Sequence, residues 1–240
     1  MRHIAALNSH RSLSSNRIAS SQVHSVFGLL KIVWIAAILA ITIATLHAQP
    51  SRISSSPSIH SANSVSPLDS PTDFSIIVLP DAQNESQNYP QVLASQTAWV
   101  AQNQTALNIQ AFLGLGDLVN DGASDVQDGN ADAAIRTLDN AGIPYFLAIG
   151  NHGYDGALPR NATGFNCWFG PARYANYSYY KGNYPTGSNE NSYGVLTING
   201  TQYLFLILEF VPRDAALQWA ASILDANPDK PVIVVTHSHM

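Results

Sequence analysis

A chain of 240 residues, 46% of them hydrophobic, is long enough to bury one sizeable core. A formal net charge of −5, with only 11% of residues charged, leaves no basic stripe for tracking phosphates along a polymer, so binding to a nucleic-acid polymer is not expected and the surface must be polar largely through Asn, Gln, Ser and Thr. The single cysteine, Cys167, excludes an internal disulfide and any multi-cysteine metal site, and is expected to be a small buried apolar group.

Residues 1–31 are Ser-rich, carry Arg2, Arg11, Arg17 and Lys31, and contain no acidic residue; the first in the chain is Asp69. They lead into IVWIAAILAITIATL at residues 32–46, an apolar run of signal-peptide length, with Ala48 or Ala44 able to precede a cleavage point. Read from residue 26, and interrupted only by Lys31, the same region is long enough to span a bilayer as an uncleaved anchor. Under either reading the basic flank stays on the cytoplasmic side and the remainder is exported, to the periplasm or beyond. Residues 1–48 are therefore expected to be a signal peptide or membrane anchor. Residues 49–72, rich in Ser and Pro and including His60, are expected to form a linker, and 73–240 the folded domain.

Residues 74–79, FSIIVL, are apolar and rich in β-branched side chains, which predicts a first strand stopped by Pro80. Residues 90–108 have Val92, Trp99, Val100 and Leu107 at near-helical spacing and predict a helix with Trp99 and Val100 in the core. A second strand is expected at 111–115. Residues 128–140, with Ala131, Ala134, Ile135 and Leu138 on one face and Gly142 just past the end, predict a helix with a defined stop. A third strand is expected at 144–149, and the β-α-β-α-β succession predicts parallel pairing through helical crossovers.

Periodicity is lost over residues 151–190, which fill with Gly, Pro, Asn and aromatics from Phe165 to Tyr184. The pattern predicts a long loop whose aromatic rings either line a cleft or pack on one another. Residues 193–198 and 202–208 flank Asn199-Gly200, a strong hairpin signal. Residues 213–225 predict an amphipathic helix through Leu217, Trp219, Ala220, Ile223 and Leu224, and 231–235 a final buried strand.

Four of the strand-like runs stop on residues able to bind a cation: SIIVLPDAQ, AFLGLGD, YFLAIGNH and VIVVTHSH. Strands lying parallel bring their carboxyl ends to one edge, where open α/β sheets place ligands, so Asp81, Gln83, Asp117, Asn151, His152 and His237 are expected to converge. Mixed oxygen and imidazole donors suit divalent ions of intermediate hardness. Asp117, in the central run with Gly116 before it, is the natural bridge between two ions about 3.5–4 Å apart. Taken singly, Gly116-Asp117 and Gly150-Asn151 read as turns, Asp81 as a loop carboxylate, and His152 or His237 as a satisfied polar residue; the order of four strand ends favours a metal site. His239 falls one residue beyond a plausible ligand position, and Glu209 reads either as support for the site or as a cap for the following helix. Gly114-Leu115-Gly116 is no dinucleotide fingerprint, because Val119 stands where its third glycine would fall.

The ordered set Asp81-Ala82-Gln83, Gly116-Asp117 with Asn120-Asp121-Gly122, Gly150-Asn151-His152 and the strand-ending His237 resembles the successive motifs of the calcineurin-like metallophosphoesterases over residues 74–240. The segments at 165–174 and 208–220 are similar to its secreted bacterial branch. The resemblance implies an α/β fold of two packed mixed β-sheets flanked by helices, shortened here at the C-terminal end. It implies two divalent ions drawn from manganese, iron and zinc, and a phosphate mono- or diester as substrate. Asp81 and Gln83 would hold one ion, Asn151 and His237 the other, Asp117 would bridge, and His152 would protonate the leaving oxygen or orient the phosphate. Three departures stand out: Gln83 replaces a histidine, Gly153 replaces an acidic residue after His152, and a final Gly-His-x-His motif is absent. They give the alternative expectation of a non-catalytic exported domain of the same fold.

Overall fold

The computed structural model describes residues 73–156 and 160–238. The signal or anchor reading of residues 1–48, the linker at 49–72 and His239 lie outside the described residues. No helix among the described residues is long and apolar enough to cross a membrane.

Strands β1 (Ser75–Leu79), β2 (Ile109–Gly114) and β3 (Tyr145–Leu147) form a three-stranded sheet in chain order, both pairings parallel. Between them run helices α1 (Gln83–Asn88), α2 (Pro90–Asn103) and α3 (Asp125–Ala141). Ser124 caps α3, its hydroxyl accepting from the Gln127 N–H, and the helix ends on Gly142 at φ 66°, which satisfies terminal carbonyls as the sequence predicts. Leu138, Ile135, Ala134 and Ala131 form the buried face of α3.

Helix α2 departs from its expected face. Val100 is buried, but Trp99 is 43% and Val92 40% exposed, so Trp99 is not a core residue. The helix stops at Asn103, and its buried side runs through Leu93, Thr97 and Val100, one residue round from the face that Val92 and Trp99 suggest.

The second sheet contains β4 (Tyr180–Tyr184), β5 (Asn191–Ile198), β6 (Thr201–Leu208) and β7 (Val232–Thr236) in that order. β4–β5 and β5–β6 are antiparallel, β6–β7 parallel. The β5–β6 hairpin turns at Asn199 (φ 48°) and Gly200 (φ 81°), the left-handed pair expected of Asn-Gly. Among the described residues one sheet is thus parallel and one mixed, both flanked by helices, the α/β architecture expected. Phe146 of β3 stacks on Phe205 of β6 at 4.7 Å, and both belong to the same buried core. β7 is half-buried rather than buried, because it lies at the end of the sheet order. Helix α5 (Asp214–Asp225) buries Ala216 and Ala220 but leaves Leu217 43% exposed, so Leu217 is not on its packed face.

The segment expected to be one long loop contains helix α4 (Thr163–Phe169), a 3₁₀ turn at Pro171–Tyr174 and strand β4. Its rings pack on one another: Tyr174 stacks on Tyr180 at 4.8 Å and Tyr177 on Tyr179 at 5.4 Å, with Tyr145 of β3 beneath Tyr174. Arg173 pins this layer to α3. Its Nε donates to the Tyr145 hydroxyl, Nη1 to Asp132 and Nη2 to Asp139. Cys167 is exposed on α4, contrary to the buried position expected from its chemistry, because Phe165 and Phe169 take the inward face of so short a helix.

Candidate metal centre

The parallel pairing of β1, β2 and β3 sends their carboxyl ends to one edge, and each end delivers a chemical group there. After β1, Pro80 ends the strand and Asp81 follows, its side chain 54% exposed. The next residue, Ala82, donates its N–H to the Asp117 carbonyl at 3.0 Å, tying the two loops together. After β2 the backbone turns through Gly116 at φ 119° and Asp117 at φ 46°. A Cβ on residue 116 would stand 2.5 Å from Nδ1 of His237, so glycine is required there both for its φ and for the closeness of the imidazole. A left-handed aspartate costs on the order of 1–3 kcal/mol, and this one is 3% exposed, held by its surroundings.

Those surroundings grip both carboxylate oxygens. The His152 main-chain N–H donates to Asp117 Oδ1 at 2.9 Å, and His237 Nε2 lies 3.2 Å from Oδ2. Burial pushes the Asp117 carboxyl up, but hydrogen bonds from His237 and the His152 amide outweigh it and hold the group below its ordinary value. His237 comes from the end of β7. Its Nδ1 lies 3.2 Å from the Leu115 carbonyl, which can only accept, so Nδ1 carries the hydrogen. Nε2 of the neutral ring is then an acceptor facing a carboxylate oxygen, an arrangement completed by a proton or by a cation shared between them. In agreement, the contact with Asp117 raises the His237 pKa despite burial. An imidazole that gives its other N–H to a backbone carbonyl has the arrangement usual for a metal ligand.

Asp81, Asp117 and His237 each offer a ligand atom, and these atoms all lie within 4.8 Å of one another. Two carboxylates and an imidazole make the mixed donor set that divalent metals take, so these residues fit a divalent ion. Gln83 opens α1, and its side-chain carbonyl Oε1 is buried without a hydrogen-bond partner among the described residues. Asn151 opens a 3₁₀ turn (Asn151–Gly153) and is exposed. Neither side chain is hydrogen-bonded to the Asp81, Asp117 and His237 group.

His152 Nδ1 lies 2.8 Å from the Asn120 carbonyl, which fixes Nδ1 as the protonated nitrogen and leaves Nε2 for chemistry. The loop carrying Asn120 is held in turn by Gln127 of α3, whose Oε1 accepts from the N–H groups of Asn120 at 2.8 Å and Asp121 at 3.1 Å. A backbone carbonyl thus orients His152, where Gly153 leaves no acidic side chain to do so. Asp155 is occupied elsewhere, accepting from the first N–H groups of α4 at Thr163 and Gly164. Glu209 is fully buried and accepts from the N–H and guanidinium of Arg213, the residue that leads into α5, so it anchors the entry to that helix without capping its first N–H groups. The roles of Asn120, Leu115 and Gln127 leave no trace in the sequence, because two act through carbonyls and one through a contact set by the fold.

The His237 ring packs against Phe210 with centroids 5.9 Å apart. Arg160 stands over both Phe210 and Tyr154, 5.7 Å from each ring centroid.

With this geometry in place, comparison with known proteins is direct. The calcineurin-like phosphoesterase family model matches residues 74–240. The uncharacterized protein YvnB of Bacillus subtilis (strain 168) is 30% identical over 167 residues, covering 70% of this chain and 13% of that relative's length. The chain therefore spans a small part of the relative it matches. The strand-end site and the family match agree: the chain belongs to the calcineurin-like phosphoesterase family.

Proposed function

We propose that this chain is a hydrolase of phosphate esters working with two divalent ions. The observation that carries the reading is the facing of His237 Nε2 and Asp117 Oδ2 across 3.2 Å with Asp81 beside them, a set of donors that a cation completes. Divalent ions at such a site supply Lewis acidity, making water a nucleophile near neutral pH and neutralising charge on phosphoryl oxygens. Asp117 would contact both ions, Asp81 and Gln83 one of them, and Asn151 and His237 the other. The orphaned Oε1 of Gln83 supports its inclusion, since a buried amide oxygen without a donor is costly unless a cation or ligand meets it. His152, with Nδ1 bonded to the Asn120 carbonyl, is placed to carry a proton on Nε2 and give it to the leaving oxygen.

The expected result is manganese-stimulated hydrolysis of an aryl phosphate by the wild-type chain and none by Asp117→Asn. Equal rates would remove the proposal. A non-catalytic domain that binds metal poorly is the second reading, favoured by Gln83 at a ligand position and by the exposure of Asp81; a purified chain free of metal would support it, and two ions per chain would contradict it. Export to the periplasm or beyond, read from residues 1–48, belongs to the same proposal, and N-terminal sequencing of the mature protein checks it.

A further inference from the structure

Cations are scarce in this chain, and most described arginines are neutralised. Arg136 pairs with Asp132, Arg173 with Asp132 and Asp139, and Arg213 with Glu190 and Glu209. Arg160 is different: among the described residues it forms no ion pair. Nη1 donates to the carbonyls of Phe210 at 2.7 Å and Val211 at 3.0 Å, which hold one corner of the guanidinium against the loop after β6. Its Cζ lies over the rings of Tyr154 and Phe210, 5.7 Å from each centroid. Nε and Nη2 have no partner among the described residues, so one edge of a planar five-donor fork is unused.

Phe210, whose carbonyl and ring hold Arg160, also packs on the His237 ring with centroids 5.9 Å apart, so one residue separates the guanidinium from the metal-site histidine. Tyr154 is buried, and its hydroxyl has no hydrogen-bond partner among the described residues. Glu190 is paired with Arg213 at 3.0 Å instead of with Arg160. An anchored guanidinium beside aromatic rings, with donors left over, is suited to a planar or tetrahedral anion.

We propose that Arg160 is a specificity-determining residue, whose free edge holds a second anionic group on the substrate, beyond the phosphate held at the metal centre. The inference rests on the phosphoesterase reading and narrows its substrates to esters carrying another carboxylate or phosphate. The second group contributes binding that a simple aryl phosphate lacks.

The test uses the manganese-loaded full chain and two non-hydrolysable ligands, benzylphosphonate and 4-carboxybenzylphosphonate, titrated calorimetrically. Wild type is expected to prefer the carboxylated ligand by about tenfold, the effect of one charge-assisted contact. In Arg160→Gln the ratio should fall to about one, with benzylphosphonate affinity unchanged, while Arg160→Lys, keeping the charge without the fork, retains part of the preference. Absence of any preference in wild type, or the same ratio in Arg160→Gln, overturns the inference. Equal weakening of both ligands in both variants also overturns it, since Arg160 then only supports the loop. Failure of wild type to bind either phosphonate is the separate outcome that brings down the phosphoesterase reading itself.

Discussion

The main-chain N–H of His152 donates to Oδ1 of Asp117 at 2.9 Å, so the residue proposed as the proton carrier also clamps the central carboxylate. The clamp is a backbone group and the proposed proton carrier a side chain, which makes the two separable. His152→Ala keeps the amide and loses the imidazole. Its kcat for an aryl phosphate is expected to fall roughly 10²–10⁴-fold while bound manganese, measured by elemental analysis, stays at the wild-type level. Loss of the metal in this variant would contradict the separation.

Gly150 lies under the same clamp. A Cβ there would stand 2.0 Å from Asp117 Oδ1 and 2.4 Å from Asp117 N, and neither atom can retreat, one being backbone and the other bonded. Gly150→Ala is expected to lose about 1–3 kcal/mol of stability from overpacking and to bind manganese at least about tenfold more weakly. Urea unfolding and calorimetry check the two effects; wild-type affinity in the folded variant would refute the close approach.

Asp128 is 2% exposed, and its Oδ2 has no hydrogen-bond partner among the described residues. Burial first, then Asp125, Asp155 and Asp121, push its pKa up to about 7 from an ordinary 3.8. The folded chain therefore holds this proton more tightly than the unfolded chain. The resulting stability is complete below the ordinary value and is lost as pH rises through about 7. Asp128→Asn removes the titration. It is expected to exceed wild type at about pH 8 by up to about 4 kcal/mol and to lose that advantage in acid, as read from urea unfolding across pH.

Arg173 joins the aromatic layer to α3 through Asp132 and Asp139, with side-chain exposures of 12%, 8% and 23%. Arg173→Met leaves a nearly buried Asp132 with only the exposed Arg136 as its partner, and a loss of about 3–5 kcal/mol in urea unfolding is expected. Arg173→Lys should fall between, since it restores a charge but cannot reach Tyr145, Asp132 and Asp139 together.

Cys167 is exposed on α4. A thiol reagent is expected to label one group per native chain without denaturant, and a thiol that reacts only after unfolding would overturn that placement.

Much of the architecture is set by local pattern. The apolar runs before Asp81, Asp117 and His152, the left-handed stop at Gly142 and the Asn199-Gly200 turn each follow from a few neighbouring residues, whose periodicity or φ preference decides the outcome. Parallel order follows from alternating strands and helices, and it places Asp81, Asp117 and His152 at one edge before any distance is known. Contacts distant in the chain decided the rest. Trp99 and Leu217 face outward because the rotation of a helix against its neighbours is fixed by packing, which its own spacing leaves open by a residue. The aromatic segment closes on itself because Arg173 finds Asp132 and Asp139 on α3, and nothing in its composition announces those partners. His237 meets Asp117 only because β7 pairs parallel with β6, and Asn120 orients His152 through a carbonyl that every residue possesses. Side-chain chemistry is written in the sequence, whereas the direction of a backbone carbonyl and the turn of a helix exist only once the chain has folded.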